Sequence, residues 1–400
     1  MKIACVGAGP AGLYFAVLAK QHNIATEVTV YERNQEKSGY GWGVTFGPEL
    51  LQELYRNDQE SAREIDDAAF RWRDQFVDIR GERVTYDGGV DVYNLNRPRL
   101  VEILTARARK LGVTVRFDEE ITSPGQLPGA DLIVAADGVN SQLRQAGDFG
   151  TQIAHSQDRY IWLGTDKPFR AFAYHFLETE HGWIWASSYG VEAGLSTFVV
   201  HCAEPTWAGL GFDTMPIPDC LEVLSDMFKE QLEGHRLMGQ VDDPANARWQ
   251  HFRTVTNERW HDGNVVLAGD AAHTTHFSSG QGSTLALEDA IALAANLERH
   301  PGELGTALTA YDRQRQAEIV HGQRQARLSA RWFAEISRYL DLEPRQFATL
   351  VHARRSALVP VLPPRVYYQL HKLRPAAKAI RRRLRPARPD TAAVTVAERR

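Results

Sequence analysis

Hydrophobic positions along the chain change their period twice. Residues 3–6 form a short apolar run, the pattern of a strand buried on both faces. A helical pattern follows over residues 10–20, and a second apolar run covers 28–31. Residues 48–76 read as amphipathic helix, and 77–93 alternate as a hairpin with Asp87-Gly88-Gly89 as its turn. A helix opens at Leu95 to Leu100, and residues 113–118 and 131–136 read as strands. From about 151 to 260 this alternation stops, and aromatic strands at 160–163, 171–177, 183–189 and 196–202 predict an antiparallel sheet. The α/β pattern returns at 264–268, followed by long helices to about 299 and over 305–340. Residues 341–375 read as further helices with proline-rich joints around Pro360 to Pro364. The expected architecture is a discontinuous α/β domain (1–150 and 260–340) with an inserted β-sheet domain (151–259). C-terminal helices (341–385) and a disordered tail (386–400) complete it.

The glycines at the first strand end add chemistry to this outline. Gly7, Gly9 and Gly12 give G-x-G-x-x-G at a strand-to-helix turn. Gly7 allows the turn, Gly9 lets backbone approach a pyrophosphate, and Gly12 lets the helix pack on the strand. Pro10 suits a first helical position, with Ala11 beside it. The second apolar run ends in Glu32 and Arg33, where the Glu32 carboxylate would accept from ribose hydroxyls. Strand, glycine turn, helix and acid together predict a dinucleotide site. The glycine-rich stretch Gly39 to Gly47 would lay backbone against a flat ligand with Trp42 as a wall. Arg97, near a helix start, would reach a phosphate or ribose.

Composition narrows the class further. At 400 residues, 43% hydrophobic and 24% charged, the chain is ordinary and globular. A net charge of −4 argues against a general nucleic-acid binder, although residues 372–388 carry eight basic residues and no acid. Cys5, Cys202 and Cys220 are scattered, which suits a reducing cytoplasm and offers no metal cluster. No apolar run approaches the length of a membrane span, and the apolar start reads as strand and helix, not as a signal peptide.

Two more motifs stand at strand ends: Asp137-Gly-Val-Asn-Ser-Gln-Leu-Arg144 and Gly269-Asp-Ala-Ala-His273. Ligands of parallel sheets bind at the carboxyl ends of strands, so three such motifs suggest one long extended ligand. Taken in order, the chain resembles the single-component FAD-dependent aromatic hydroxylases. The resemblance implies a Rossmann-like FAD-binding domain, NADH or NADPH as transient electron donor, and dioxygen as co-substrate. It also implies a flavin C4a-hydroperoxide that an electron-rich ring attacks. Asp137 and Gly138 would belong to the second FAD contact, with Gly269 and Asp270 near the ribityl chain. Backbone around Gly280, Gln281, Gly282 and Ser283 would face the pyrimidine end of the flavin. Phe277 and Thr284 depart from the Pro and Asn frequent in that family. The segments Gly41 to Val44, Tyr160 to Thr165, Ser196 to Cys202 and His276 to Ser278 are similar to salicylyl-CoA 5-hydroxylases, 2-aminobenzoyl-CoA monooxygenases and the violacein-pathway indole hydroxylase.

A phenolic substrate gains by losing its proton, which makes His276 and His175 candidate catalytic residues. Alternation sets His175 on the face opposite Phe172, Tyr174 and Phe176. Trp162, Tyr174, Trp185 and Phe277 are candidate substrate contacts. The basic run 372–388 reads as a solvated helical face, as a contact for the phosphates of a CoA thioester or for an acidic carrier protein, or as a nonspecific nucleic-acid or membrane contact; Arg354 and Arg355 would add to a phosphate site. The expected substrate is a small aromatic molecule such as an aryl-CoA thioester. The rivals are a free or carrier-bound anthranilate-, tryptophan- or indole-derived ring, and a non-catalytic FAD-binding module.

Overall fold

The computed structural model describes residues 1–36, 41–239 and 247–383. Gly39, Tyr40 and the tail expected to be disordered lie outside them, as do the side chains of the basic run from Arg374 onward. Six strands build the first sheet, in the order His261–Asp262, Val265–Leu267, Leu132–Ala135, Lys2–Val6, Glu27–Tyr31, Thr114–Arg116. All its pairings are parallel except the edge hairpin of His261–Asp262 with Val265–Leu267. Ile3 to Val6 are buried, as a strand covered on both faces requires. The helix Pro10–Gln21 is buried continuously from Pro10 to Ala19, between the sheet and the helices Arg97–Lys110 and Gly282–Arg299.

The second sheet has nine strands among the described residues. Its order is Leu237–Met238, Gln152–Thr165, Leu195–Ala203, Gly182–Glu192, Phe172–Thr179, Phe70–Ile79, Glu82–Asn96, Gly43–Phe46, with Gln250–Thr256 also on Gln152–Thr165. The expected boundary therefore shifts: strands from 43–96 belong to this sheet, joined through the parallel pairing of Gln75–Ile79 with Phe172–Phe176. The helical pattern expected to run to 76 ends at Ala68. The hairpin turn sits at Arg80-Gly81, where φ is +52° and +73°, as a two-residue primed turn requires. Asp87 pairs with Asp74 inside the strand instead of turning the chain.

The C-terminal helices cap one face of this sheet. Trp332 and Phe333, from the helix Leu304–Ala334, and Phe347, Leu350 and Val351, from Pro344–His352, pack against Val77, Tyr174, Phe176 and Trp185. The opposite face packs Ile161, Phe198 and Val200 against Cys220, Leu224 and Phe228. Among the described residues no helix is long and apolar enough to cross a membrane.

Candidate active site

A cavity of about 1410 Å³ runs from the first glycine turn, past the second and third motifs, into the seam between the sheets. Gly7 has φ +105°, and a Cβ on it would stand 2.2 Å from the carbonyl oxygen of Ala136. A Cβ on Gly12 would stand 2.2 Å from the oxygen of Gly7, which is the close helix–strand packing expected. A Cβ on Gly9 would meet nothing within 4 Å, so the space beside it opens into the cavity. Glu32 also lines the cavity. Its Oε2 accepts from the Ala8 N–H at 2.8 Å, and its Oε1 accepts from the Asn34 side chain at 2.7 Å. A carboxylate has about four acceptor sites, so these bonds leave capacity for ribose hydroxyls.

The second motif is held from behind. Asp137 Oδ2 accepts from the Gln142 N–H at 2.8 Å, while Oδ1 is buried without a protein partner. Burial raises the Asp137 pKa against the pull of Ser141 and the backbone N–H groups. Arg144 is buried and donates to the carbonyls of Val139 at 2.7 Å and Ala271 at 3.0 Å. The third motif is fixed by Asp289, which accepts from the Gly269 N–H at 2.8 Å, His273 at 2.9 Å and Arg315 at 2.8 Å. Asp270 opens onto the cavity. The walls around it exclude enough water to raise its pKa, against the pull of His273 and Arg97.

Next along the cavity stand Gly280, Gln281, Gly282, Ser283 and Thr284. The helix Gly282–Arg299 begins here with no side-chain cap and no acidic residue in its first turn. Its free N–H groups and dipole leave a site for negative charge. Thr45 Oγ1 donates to the Gly280 carbonyl at 3.3 Å, pinning this turn to the second sheet. Glycine turns against open space, a carboxylate at the second strand end and an uncapped helix along one continuous cavity fit FAD.

Beyond this turn the walls become aromatic: Tyr160, Trp162, Phe172, Tyr174, Tyr189 and Phe277. Among the candidate substrate contacts, Trp162, Tyr174 and Phe277 line the cavity. Trp185 does not. It lies one layer behind, stacked on Phe333 at 5.6 Å between ring centres. Trp42 is also buried away from the cavity, packed so closely on Gly164 that a Cβ there would stand 2.4 Å from its ring.

The histidines divide in the same way. His175 points away from the cavity, between Phe169 and Phe198. It bonds Asp78 at 2.9 Å and Ser188 at 2.8 Å. Burial lowers its pKa despite Asp78. His276 accepts from Ser278 N–H through Nδ1, and burial lowers its pKa to about 4. Its ring lies behind Phe277, with 4.3 Å between ring centres. Neither histidine lines the cavity, so neither geometry suits a base acting directly on substrate. His201, which the sequence did not single out, does line it. So do Phe333, Arg354 and Arg355, which the C-terminal helices bring in.

The FAD binding domain family matches residues 129–320. The chain is 36% identical over 360 residues to a salicyloyl-CoA 5-hydroxylase of Streptomyces sp, covering 87% of this chain and 68% of that protein. It is 34% identical over 338 residues to the 3-hydroxy-4-methyl-anthranilyl-[aryl-carrier protein] 5-monooxygenase of Streptosporangium sibiricum, covering 84% and 90%. To the protodeoxyviolaceinate monooxygenase of Chromobacterium violaceum it is 30% identical over 371 residues, covering 90% and 96%. A solved structure of 2-methyl-3-hydroxypyridine-5-carboxylic acid oxygenase superimposes with a TM-score of 0.70 at 22% identity, over 88% of this chain and 98% of that one.

Proposed function

Because the chain belongs to the FAD-dependent aromatic monooxygenases, we propose that it hydroxylates the ring of an aryl-CoA thioester such as salicylyl-CoA. One observation carries the choice of an anionic conjugate over a simple ring. Arg354 lines the cavity, yet among the described residues its hydrogen bonds go only to neutral groups: Ser329 Oγ at 3.0 Å, Val351 O at 2.9 Å and Ser278 O at 3.2 Å. Arg355 beside it is enclosed, and burial together with Arg354 lowers its pKa to about 10. A cation at the aromatic chamber with no acidic partner among the described residues favours an anionic ligand. The phosphates of CoA supply such a group, and so would a phosphopantetheine carried on an acidic protein.

Bound FAD, reduced by NAD(P)H, supplies activated oxygen from O2. The chain's own groups hold and shield. In this proposal the turn Gly7, Gly9, Pro10, Ala11 and Gly12 cradles the pyrophosphate, and Glu32 with Arg33 meets the ribose end. Asp137, Gly138 and Arg97 flank the middle. Gly269 and Asp270 meet the ribityl hydroxyls. The Gly280 to Ser283 turn places its N–H groups where negative charge develops. Tyr160, Trp162, Tyr174 and Phe277 orient the substrate ring and exclude water. A cytoplasmic location belongs to the same proposal, since the electron donor is intracellular and the free cysteines are buried.

The test is NADH and NADPH oxidation by the FAD-loaded protein, with product mass recorded. Salicylyl-CoA and 2-aminobenzoyl-CoA are compared with their free acids. Faster oxidation and one added oxygen with the thioesters alone supports the reading. Stimulation by the free acids alone overturns it. With FAD bound, no response to any of the four moves the substrate to a carrier-bound or indole-derived ring.

A further inference from the structure

We propose that Ser329 and Arg354 are positioning residues for the flavin: a hydrogen-bonded chain through them holds the turn that the pyrimidine end of FAD would meet. The inference rests on the flavin placement proposed above, against Gly280 to Ser283, and not on the choice of substrate. It extends the FAD site into helices beyond residue 320, where the match to the FAD binding domain ends.

The chain starts at a guanidinium and ends at an imidazole. Arg354 Nε donates to Ser329 Oγ at 3.0 Å. Ser329 Oγ and Ser278 Oγ stand 2.9 Å apart, and Ser278 Oγ stands 2.8 Å from His276 Nδ1. The donors follow along its whole length. His276 Nδ1 already accepts from the Ser278 N–H at 3.3 Å, so it carries no proton. The Ser278 hydroxyl therefore donates to it, and the Ser278 oxygen accepts from the Ser329 hydroxyl. The Ser329 oxygen accepts from arginine, which can only donate. All the hydroxyls point one way, so each bond polarises the next, and loss of one hydroxyl breaks the run. Arg354 closes the circuit, since its Nη2 donates to the Ser278 carbonyl at 3.2 Å.

The position gives this chain its task. Ser278 lies in the short turn Phe277–Ser279, directly before Gly280. Ser329 is fully buried within the helix Leu304–Ala334. A serine inside a helix ordinarily returns its hydroxyl to a carbonyl one turn back, whereas Ser329 sends its hydroxyl out to another segment. The same helix covers the turn at a second point. A Cβ on Gly322, about two turns earlier on the same face, would stand 3.1 Å from the side-chain oxygen of Gln281. The Arg354 guanidinium is held in place by rings, 5.2 Å from the centre of Tyr174 and 5.9 Å from that of Phe333. From the other side Thr45 grips the Gly280 carbonyl. The turn is clamped between the second sheet and the C-terminal helices, and that clamp aims the free N–H groups that open the helix Gly282–Arg299.

The experiment is a double-mutant cycle read by FAD binding, without turnover or substrate. Apoprotein of wild type, Ser329→Ala, Arg354→Gln and the double variant is titrated with FAD by fluorescence, and the absorbance of the bound flavin is recorded. The expected result is about fivefold weaker binding in each single variant, and about the same fivefold in the double, because either change breaks one chain. The bound flavin's spectrum shifts alike in all three. Ser329→Thr, which keeps the hydroxyl, restores affinity to within about twofold of wild type. Melting temperatures of the apoproteins report folding, and Ser278→Ala replaces Arg354→Gln in the cycle if that variant does not fold. Unchanged affinity and spectrum in the single variants overturn the proposal. So do losses that multiply in the double variant, which mark two independent structural defects. A Cβ on Gly282 would meet nothing within 4 Å, so Gly282→Val tests the flavin placement by itself. Unchanged FAD binding there overturns the placement and this inference with it. Weakened binding there with an intact response in the cycle variants overturns this inference alone.

Discussion

Arg144 joins the second motif to the third: its Nη1 donates to the carbonyl of Ala271 at 3.0 Å while Nη2 donates to Val139 at 2.7 Å. The two turns that would hold the middle of FAD are therefore fastened to each other through a buried cation. Arg144→Met would leave both carbonyls without these donors. It should cost about 3 kcal/mol of stability and release FAD more readily. Thermal denaturation and flavin retention on gel filtration would measure both, and an unchanged flavin content would refute the fastening role.

Two glycines of the first turn should respond oppositely to alanine. Gly7→Ala drives a Cβ to 2.2 Å from Ala136 O at φ +105°, and should cost about 3 kcal/mol. Gly9→Ala meets nothing within 4 Å and should leave stability within about 1 kcal/mol. Its methyl group would instead occupy the pyrophosphate space and weaken FAD binding at least about tenfold. Melting curves and fluorescence titration of the apoprotein with FAD separate the two effects.

Asp289 holds His273 and Arg315 in a fully buried cluster. Asp289→Asn leaves the Arg315 charge without its deepest partner and should cost about 3–5 kcal/mol. Burial works to raise the Asp289 pKa, but His273 and Arg315 outweigh it and hold the value below normal. A carboxyl with a depressed folded pKa stabilises above its unfolded pKa. That stability is lost as pH falls below about 4. In the asparagine variant, acid unfolding monitored by circular dichroism should lose that part of its pH dependence.

His201 and His276 are held near pKa 3 and 4, against an ordinary 6.5. Between 6.5 and those values the unfolded chain binds more protons than the folded one, so stability is lost as pH is lowered through that window. Above the unfolded pKa neither residue contributes a slope. Replacing either by phenylalanine should flatten the melting temperature between pH 4 and 6, measured at constant ionic strength.

The three motifs were legible because their signals are local: glycine at a positive φ, or an acid at a fixed distance from a strand. Where a residue's role depends on what another segment brings to it, the sequence was weaker. Asp87-Gly88-Gly89 carries a turn signature, yet the chain turns at Arg80, a residue type that gives no sign of φ +52°. Trp42 sits in a glycine-rich stretch that promised a ligand wall, but Gly164, from a distant strand, gives its ring a buried place. His201 was hidden because strand alternation says which residues share a face but not which face meets the cavity. Arg354 reaches the chamber through the packing of C-terminal helices, which no local pattern encodes.

The parallel pairing of Gln75–Ile79 with Phe172–Phe176 has a consequence for the order in which the protein is born. A strand that leaves the ribosome early waits for one made about a hundred residues later, and Phe333 and Arg354 arrive later still. The chamber's floor and its far wall are thus separate events in synthesis. A nascent chain released before the C-terminal helices emerge would carry the glycine turns proposed to hold FAD but an unfinished enclosure for the aromatic ring.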